Sequence, residues 1–123
     1  METSNEKLVT DDLRRVAEYL LPRMAELIAD GWLTAPPELQ QEQAGRVVEP
    51  LLDLASMHTM SVAFRYVYTS LMVYATKGNL SHAARILGVD RSTLVRTLRR
   101  MGKEGIDFSP ERIKALMVGE PHV

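Results

Sequence analysis

The sequence contains no cysteine and no apolar run long enough to span a bilayer. Without cysteine, the chain has no disulfide framework, no thiolate metal site and no cysteine nucleophile. The longest strongly apolar stretch, residues 60–75, includes Arg65 and is shorter than the roughly 20 residues that a transmembrane helix needs. Residues 1–12 are polar and acidic, unlike a signal peptide. We therefore expect a cytoplasmic protein with no membrane partner.

The sequence also shows no grouping of residues that is typical of a catalytic or metal-binding site. The three histidines, His58, His82 and His122, lie far apart and show no metal-ligand spacing. Acidic residues such as Glu18 and Glu26 recur at helical spacing without a base or nucleophile beside them. We therefore expect a protein that is not an enzyme and that holds no metal and no cofactor.

The near-zero net charge conceals a strong asymmetry along the chain. Residues 1–75 carry six basic and eleven acidic side chains, a net charge of −5, whereas residues 76–103 carry seven basic side chains against Asp90 alone, a net charge of +6. This split is typical of a chain in which one segment meets a polyanion while the rest stays soluble or meets protein. The plainer alternative is a solvated basic face on an ordinary helix.

The spacing of apolar residues predicts an all-α fold, beginning with a helix capped by Thr10 and ended by Gly31. Within it, Pro22 predicts either a kink or two abutting helices. The apolar stripe of this region comprises Leu13, Val16, Leu20, Met24, Leu27 and Ile28. Two interpretations of the stripe stay open: a dimer interface, or the core of a single subunit.

Further helices are predicted along the rest of the chain. A weak helix follows Pro37, a short one is expected at 51–57, and a largely apolar one at 59–76, whose β-branched content also permits a strand. Ser109 and Pro110 predict the start of a final short helix. We divide the chain into a helical N-terminal region with a possible dimerisation role, 1–57, a helix-turn-helix region, 58–103, and a C-terminal extension, 104–123.

Residues 79–102 have the pattern of two short helices joined by a tight turn. Gly88 is able to take the positive φ that such a turn needs, and Ala83 and Ala84 are small where the helices approach. Asp90 is a good N-cap for the second helix. The expected core of the pair comprises Leu80, Leu87, Val89, Leu94 and Leu98.

The second helix of this pair separates into an apolar and a polar face. Leu94, Leu98 and Met101 fall on one side at about 100° per residue. Hydroxyl and guanidinium side chains fall on or near the other side, with Arg91 at the N-terminal tip; they are Ser92, Thr93, Arg96, Arg99 and Arg100. Such a helix is suited to the major groove of DNA, where arginine bonds guanine and hydroxyls contact phosphates or bases. The alternative is an ordinary helical hairpin with a basic surface.

The stretch from Ala75 to Gly102 resembles the Fis-type helix-turn-helix, which ends the factor for inversion stimulation and many NtrC-class activators. The matching positions are Gly78-Asn79, Ala83-Ala84, Leu87-Gly88-Val89, Arg91, Thr93-Leu94, Arg99-Arg100 and Gly102. The resemblance implies a dimer whose two recognition helices enter successive major grooves. It also implies that Arg91 reads a guanine, that Thr93 and Arg96 hold phosphates, and that Asn79, Ser81 and His82 face the phosphates.

The chain departs from the inversion factor at three positions in or beside the second helix. Asp90 stands where that protein has asparagine, Val95 where it has arginine, and Thr97 where it has lysine. Each change reduces cationic contact with DNA, so we expect weaker non-specific affinity and a shallower dependence of affinity on salt.

Together, these observations predict a sequence-specific transcription regulator that binds double-stranded DNA as a homodimer, with the recognition helix 91–101 in the major groove. The acidic N-terminal region offers a surface for a possible protein partner. Two alternatives stay open. One is a protein-interaction adaptor or anti-activator that keeps the helix-turn-helix fold without binding DNA. The other is a ligand-sensing regulator whose N-terminal helices hold a small molecule.

Overall fold

The computed structural model describes residues 2–51 and 56–118, and it describes side chains from residue 12 onward within those ranges. This part of the chain contains α-helices and short 3₁₀ helices and no strand, which confirms the all-α fold. The α-helices are α1 (Glu2–Ala29), α2 (Pro37–Val48), α3 (Met57–Ala75), α4 (Leu80–Leu87), α5 (Arg91–Lys103) and α6 (Pro110–Val118). None of the described helices is both long and apolar enough to cross a membrane.

Helix α1 starts earlier than the sequence pattern predicts. The predicted start at Thr10 is wrong, because the backbone is already helical from Glu2. Glutamate and lysine are good helix formers, and they occupy several of the first positions. Thr10 therefore lies in the interior of α1. It does not cap the helix, because the backbone of an N-cap residue is extended.

Pro22 lies inside α1, and the helix continues through it. Proline has no N–H to donate and crowds the preceding turn, which leaves nearby carbonyl groups in need of other donors. Arg23 Nη1 donates to the carbonyl of Tyr19 at 2.8 Å, and its guanidinium lies 3.6 Å from the centre of the Tyr19 ring. The Arg23 side chain thus supplies a hydrogen bond in the turn that Pro22 weakens.

The segment between α1 and α3 follows the predicted turn signals. Gly31 has a φ of 89° where α1 ends, and α2 begins with Pro37 in its first turn. The two sides of this turn are tied together, because Trp32 Nε1 donates to the carbonyl of Gln40 at 3.0 Å and Gln40 Nε2 donates to the carbonyl of Trp32 at 2.8 Å. The helix predicted at 51–57 falls mostly on residues 52–55, which lie outside the described residues.

Helix α3 forms the centre of the molecule and settles the helix-or-strand alternative in favour of the helix. Ser56, which the sequence pattern does not single out, caps it by accepting a hydrogen bond from the Thr59 amide at 3.1 Å. Ala63 and Val67 on α3 are fully buried and belong to one core with Leu20 and Leu21 of α1. This α1–α3 pair is the platform from which the C-terminal helices extend.

The apolar stripe of α1 is core within a single subunit. Leu13, Val16 and Leu20 are buried in the isolated chain, in the same cluster as residues of α3. Burial of this kind removes the apolar surface that a dimer interface on the stripe would need. Of the two interpretations of the stripe, the structure therefore supports the intrachain core.

Helix α6 returns to the same core. Ser109 Oγ accepts from the Arg112 amide at 3.4 Å, as expected of a helix cap, and Ile113 is buried in the cluster that contains the α1 stripe. Since this cluster draws residues from all three segments of our division, 1–57, 58–103 and 104–123, the segments share one core. The functional division itself stays a prediction.

Candidate nucleic-acid interface

Helices α3 and α4 are joined by a compact connection of four residues, 76–79. Lys77 and Gly78 both have positive φ, 56° and 82°, and the Gly78 amide donates back to the Val73 carbonyl at 2.9 Å. The left-handed Gly78 agrees with the predicted stop, but the left-handed Lys77 has no sequence signal. Asn79 Oδ1 then accepts from the His82 amide at 3.1 Å, so Asn79 is the N-cap of α4.

The turn between α4 and α5 is built on Gly88. Its φ of 71° is the left-handed conformation that the turn prediction requires. The Val89 amide donates to the Ala84 carbonyl at 3.0 Å, and the Gly88 amide donates to the Arg85 carbonyl at 3.2 Å. These two bonds close the end of α4 and direct the chain into α5.

The two helices pack through a small apolar core of their own. Ala83, Ala84 and Leu94 are almost completely buried, and Leu80, Leu87 and Leu98 pack against them. The prediction that Val89 belongs to this core is wrong, since its side chain is 41% exposed. Val89 follows Gly88 directly in the turn, where the chain reverses direction and the side chain is carried outward.

Asp90 occupies the N-cap position of α5 but does not cap it with its side chain. Its backbone is extended, as the prediction requires, yet its carboxylate makes no capping hydrogen bond. The amides of the first helical turn of α5 are therefore not satisfied by Asp90. Arg91, which begins the helix, is exposed beside them. This end of α5 combines free N–H donors with a guanidinium.

Helix α5 has a buried face and an exposed basic face. Leu94 and Met101 are buried against the body of the protein, while Ser92, Arg96 and Arg99 are exposed. Lys103 is also exposed and continues the row at helical spacing. We call Ser92, Arg96, Arg99 and Lys103 the basic stripe. Lys103 is absent from our predicted contacts, although its position four residues after Arg99 was a sufficient signal.

Two hydroxyls of α5 already have partners within the helix. Arg96 Nη2 donates to Thr93 Oγ1 at 3.3 Å, and Thr97 Oγ1 donates to the carbonyl of Thr93 at 3.0 Å. Thr93 is half-buried between the exposed stripe and the core. The bond from Arg96 holds its guanidinium along the helix surface and links the two side chains that the resemblance assigns to phosphate contact.

Arg100 lies on the side of α5 that turns toward α3, not in the basic stripe. It lines a polar cavity of about 260 Å³ together with Arg65, Tyr66 and Glu104. The pKa of Tyr66 is raised to about 12, mainly by burial and also by its hydrogen bond to Glu104, while Arg100 and Arg65 oppose the rise. Arg100 is therefore an exposed base that also lies near the charged groups around Tyr66.

The predicted contacts at the start of α4 lie together on the surface. Asn79, Ser81 and His82 are all exposed, and they lie at the N-cap and in the first turn of the helix. The carbonyl oxygen of Asn79 is used as the cap, which leaves its amide group to donate outward. The structure thus brings these three residues into one group.

A family model described as "Bacterial regulatory protein, Fis family" matches residues 75–101, which are 27 of the 123 residues. No curated protein and no solved structure matches the chain. The matched residues run from the last residue of α3 through α4 and most of α5. The match indicates a DNA-binding helix-turn-helix of a regulatory protein. Residues 75–101 of this chain therefore form a Fis-type helix-turn-helix.

Proposed function

We propose that this chain is a sequence-specific transcription regulator that binds double-stranded DNA as a homodimer, with the recognition helix 91–101 in the major groove. The observation that carries the proposal is the basic stripe. Three cationic side chains and one hydroxyl lie on the exposed face of α5, while its opposite face is anchored in the core. A helix held in this way is able to project its free face into a groove about 12 Å wide.

Different parts of the helix-turn-helix have different proposed roles. Arg91, at the tip of α5, is proposed to bond a guanine edge, because a guanidinium pairs with two guanine acceptors at once. Arg96, Arg99 and Lys103 are proposed to neutralise phosphates along the groove, and Thr93 contacts the backbone beside Arg96. The uncapped amides at the start of α5 add donors suited to a phosphate.

The first turn of α4 and the remaining base complete the proposed contact surface. Asn79, Ser81 and His82 are proposed to face phosphates of the flanking backbone, since they are exposed at the N-terminal end of a helix. Arg100 is proposed to contact DNA at the edge of this surface, next to the cavity that it lines with Glu104. Ser92 lies exposed at the start of the basic stripe and is proposed to contact bases or phosphates.

The homodimer is supported by the resemblance and by the geometry of helix-turn-helix binding, in which two recognition helices occupy half-sites one helical turn apart. Because the stripe of α1 is buried within the subunit, we propose that the interface lies elsewhere. The acidic N-terminal region stays a proposed surface for a protein partner, with a charge opposite to that of the DNA-facing segment.

Binding to sheared genomic DNA across a salt series tests this function. Wild type is compared with Arg91→Ala combined with Arg96→Ala, and with a control, Arg46→Gln, whose guanidinium is exposed on α2 away from the motif. We expect binding that weakens with salt, that collapses in the double variant and that survives in the control. Sequencing the retained fragments would give the site, and light scattering would give the stoichiometry. An absence of binding at low salt by folded wild type would contradict the proposal.

A second candidate function is favoured by one observation on the same motif. Ile86 and Val89 are 48% and 41% exposed, which places two apolar side chains at the surface of the helix-turn-helix. Exposed apolar side chains of this kind are suited to a protein contact, as in an adaptor or anti-activator. This candidate predicts that Ile86→Ser with Val89→Ser abolishes capture of a partner, and that DNA binding is absent in wild type.

A further inference from the structure

A cavity of about 660 Å³ lies where α3, α5 and α6 approach one another. Its volume falls in the range of about 300–1,000 Å³ that is usual for small-molecule sites. Most of its lining is apolar, including Val73, Leu98, Met101, Ile106, Phe108 and Ile113. A lining of this kind, open to solvent on one side, is suited to the apolar body of a small molecule.

The cavity follows from how its walls are anchored. Helix α6 packs against α1, where Ile113 is buried and Arg112 pairs with Glu18. Helix α5 is held separately through Met101, which packs near Ser70 of α3. The two walls are thus held by different contacts, and the loop that joins them contains Gly105 at a φ of 76°.

The charged side chains that line the cavity have one sign. They are Lys77, just after α3, and Lys114, on α6, and both residues are exposed. The lining contains no acidic side chain. Ser70 is buried in the wall, and its hydroxyl bonds Met101 Sδ at 3.9 Å, a weak acceptor. The cavity therefore combines an apolar interior with a cationic edge.

Lys77 adds an independent observation. It holds a φ of 56°, which is uncommon for a residue with a side chain, whereas the next residue, Gly78, takes the same conformation without strain. Strained residues of this kind are concentrated at ligand clamps and other functional positions. The strain here places a cation in the lining of the cavity, where glycine would fit the backbone better.

We propose that this cavity is a binding site for a small amphipathic carboxylate, with the apolar chain in the interior and the carboxylate paired with Lys77 and Lys114. The site differs from a sensor built on the N-terminal helices, because its walls are α3, α5 and α6. Its existence does not depend on DNA binding, since the ligand is measured on the free protein.

Titration calorimetry with decanoate, below its micelle concentration, tests the site directly on the full chain. Decanol is the neutral control and decylamine the cationic one. We expect decanoate to bind at least about fivefold more tightly than decanol, because two cations meet one anion at the edge of the cavity. Octanoate should bind about tenfold more weakly than decanoate, because two methylene groups are removed from the apolar interior.

Two lysine variants locate the carboxylate. Lys77→Gly removes the charge and also relieves the backbone strain, so the variant stays folded, and Lys114→Gln removes the second charge from an exposed position. Each should weaken decanoate binding about fivefold without changing decanol binding, while Lys103→Gln, an exposed lysine outside the lining, should leave both unchanged.

Several outcomes would overturn the proposal. They are an absence of decanoate binding, equal affinities for decanoate and decanol, or decanoate affinity that is unchanged in both lysine variants. A chain shortened after Val118 is measured beside the full chain. Decanoate binding by the shortened chain alone would also overturn it, because the tail and not a carboxylate would then be the occupant of the cavity.

Discussion

Arg112 Nη2 donates a hydrogen bond of 2.6 Å to Glu18 Oε2, although 94 residues separate the two along the chain. The side chains are 33% and 29% exposed, so the pair is partly shielded from water. It joins α6 to α1 beside the buried Ile113. The pair therefore fixes the helix that forms one wall of the cavity to the α1–α3 core.

Removing this pair should loosen α6 by a measurable amount. We expect Glu18→Gln to lower the free energy of unfolding by about 1 kcal/mol, since a partly shielded ion pair contributes more to stability than an exposed one. The matched control is Glu42→Gln, which breaks the pair with Arg46 on α2, where both side chains are more than half exposed; it should cost about 0.3–0.5 kcal/mol. Urea denaturation measures both, and equal costs would contradict the anchoring role.

The position of Lys103 in the basic stripe predicts a phosphate contact. Lys103→Gln should weaken DNA binding on all sequences and lower the slope of log affinity against log salt by about 0.9, as should Arg99→Gln. Lys114→Gln, which removes an exposed lysine from α6, serves as the control and should leave the slope unchanged. A slope that Lys103→Gln does not change would remove Lys103 from the interface. Fluorescence anisotropy at several salt concentrations provides the measurement.

Replacing glycine by alanine should change the stability of the protein in opposite directions at two positions with open surroundings. No atom outside the local backbone lies within 4 Å of a Cβ built at Gly88 or at Gly45. Gly88 has a φ of 71°, so Gly88→Ala should cost about 1–2 kcal/mol through backbone strain alone. Gly45 lies inside α2, so Gly45→Ala should stabilise by about 0.4–1 kcal/mol. Thermal unfolding distinguishes them, and destabilisation by both would contradict the assignment of strain to Gly88.

The raised pKa of Tyr66 predicts a loss of stability at high pH. Its pKa rises from 10.0 to about 12 because the phenol is buried and bonded to Glu104, so the folded state favours the protonated form. This contribution is complete below pH 10 and disappears as pH rises toward 12, up to about 3 kcal/mol in all. Tyr66→Phe should flatten the fall in unfolding free energy between these pH values, whereas Tyr68→Phe, elsewhere on α3, should retain it. Parallel curves for Tyr66→Phe and wild type would contradict the prediction.

Leu98 and Met101 belong both to α5 and to the cavity lining, which predicts coupling between the two proposed sites. Decanoate should change the affinity for DNA by at least about fivefold, and DNA should change the affinity for decanoate by the same factor, because coupling free energies are reciprocal. Measuring both affinities with and without the other ligand tests this. If neither affinity changed, the coupling would be contradicted. The affinity for decanoate on the free protein would still show whether the cavity binds a carboxylate.

The sequence by itself determined the helix-turn-helix. Asn79 as a cap, Gly88 in a left-handed turn, and the division of α5 into apolar and basic faces are all properties of a few neighbouring residues. Capping, positive φ and helical spacing act within one or two turns, so they are expressed directly in residue order.

The tertiary structure alone decided what each apolar or charged face meets. The stripe of α1 is equally suited to a partner chain or to α3, and only packing shows that Leu20 is buried in the subunit. Val89 and Arg100 satisfy the local pattern, yet Val89 is exposed and Arg100 lines a cavity together with Glu104. The cavity depends on α6 being held to α1, across most of the chain, by Arg112 and Glu18. Such contacts arise between segments distant in sequence, and helical spacing does not encode them.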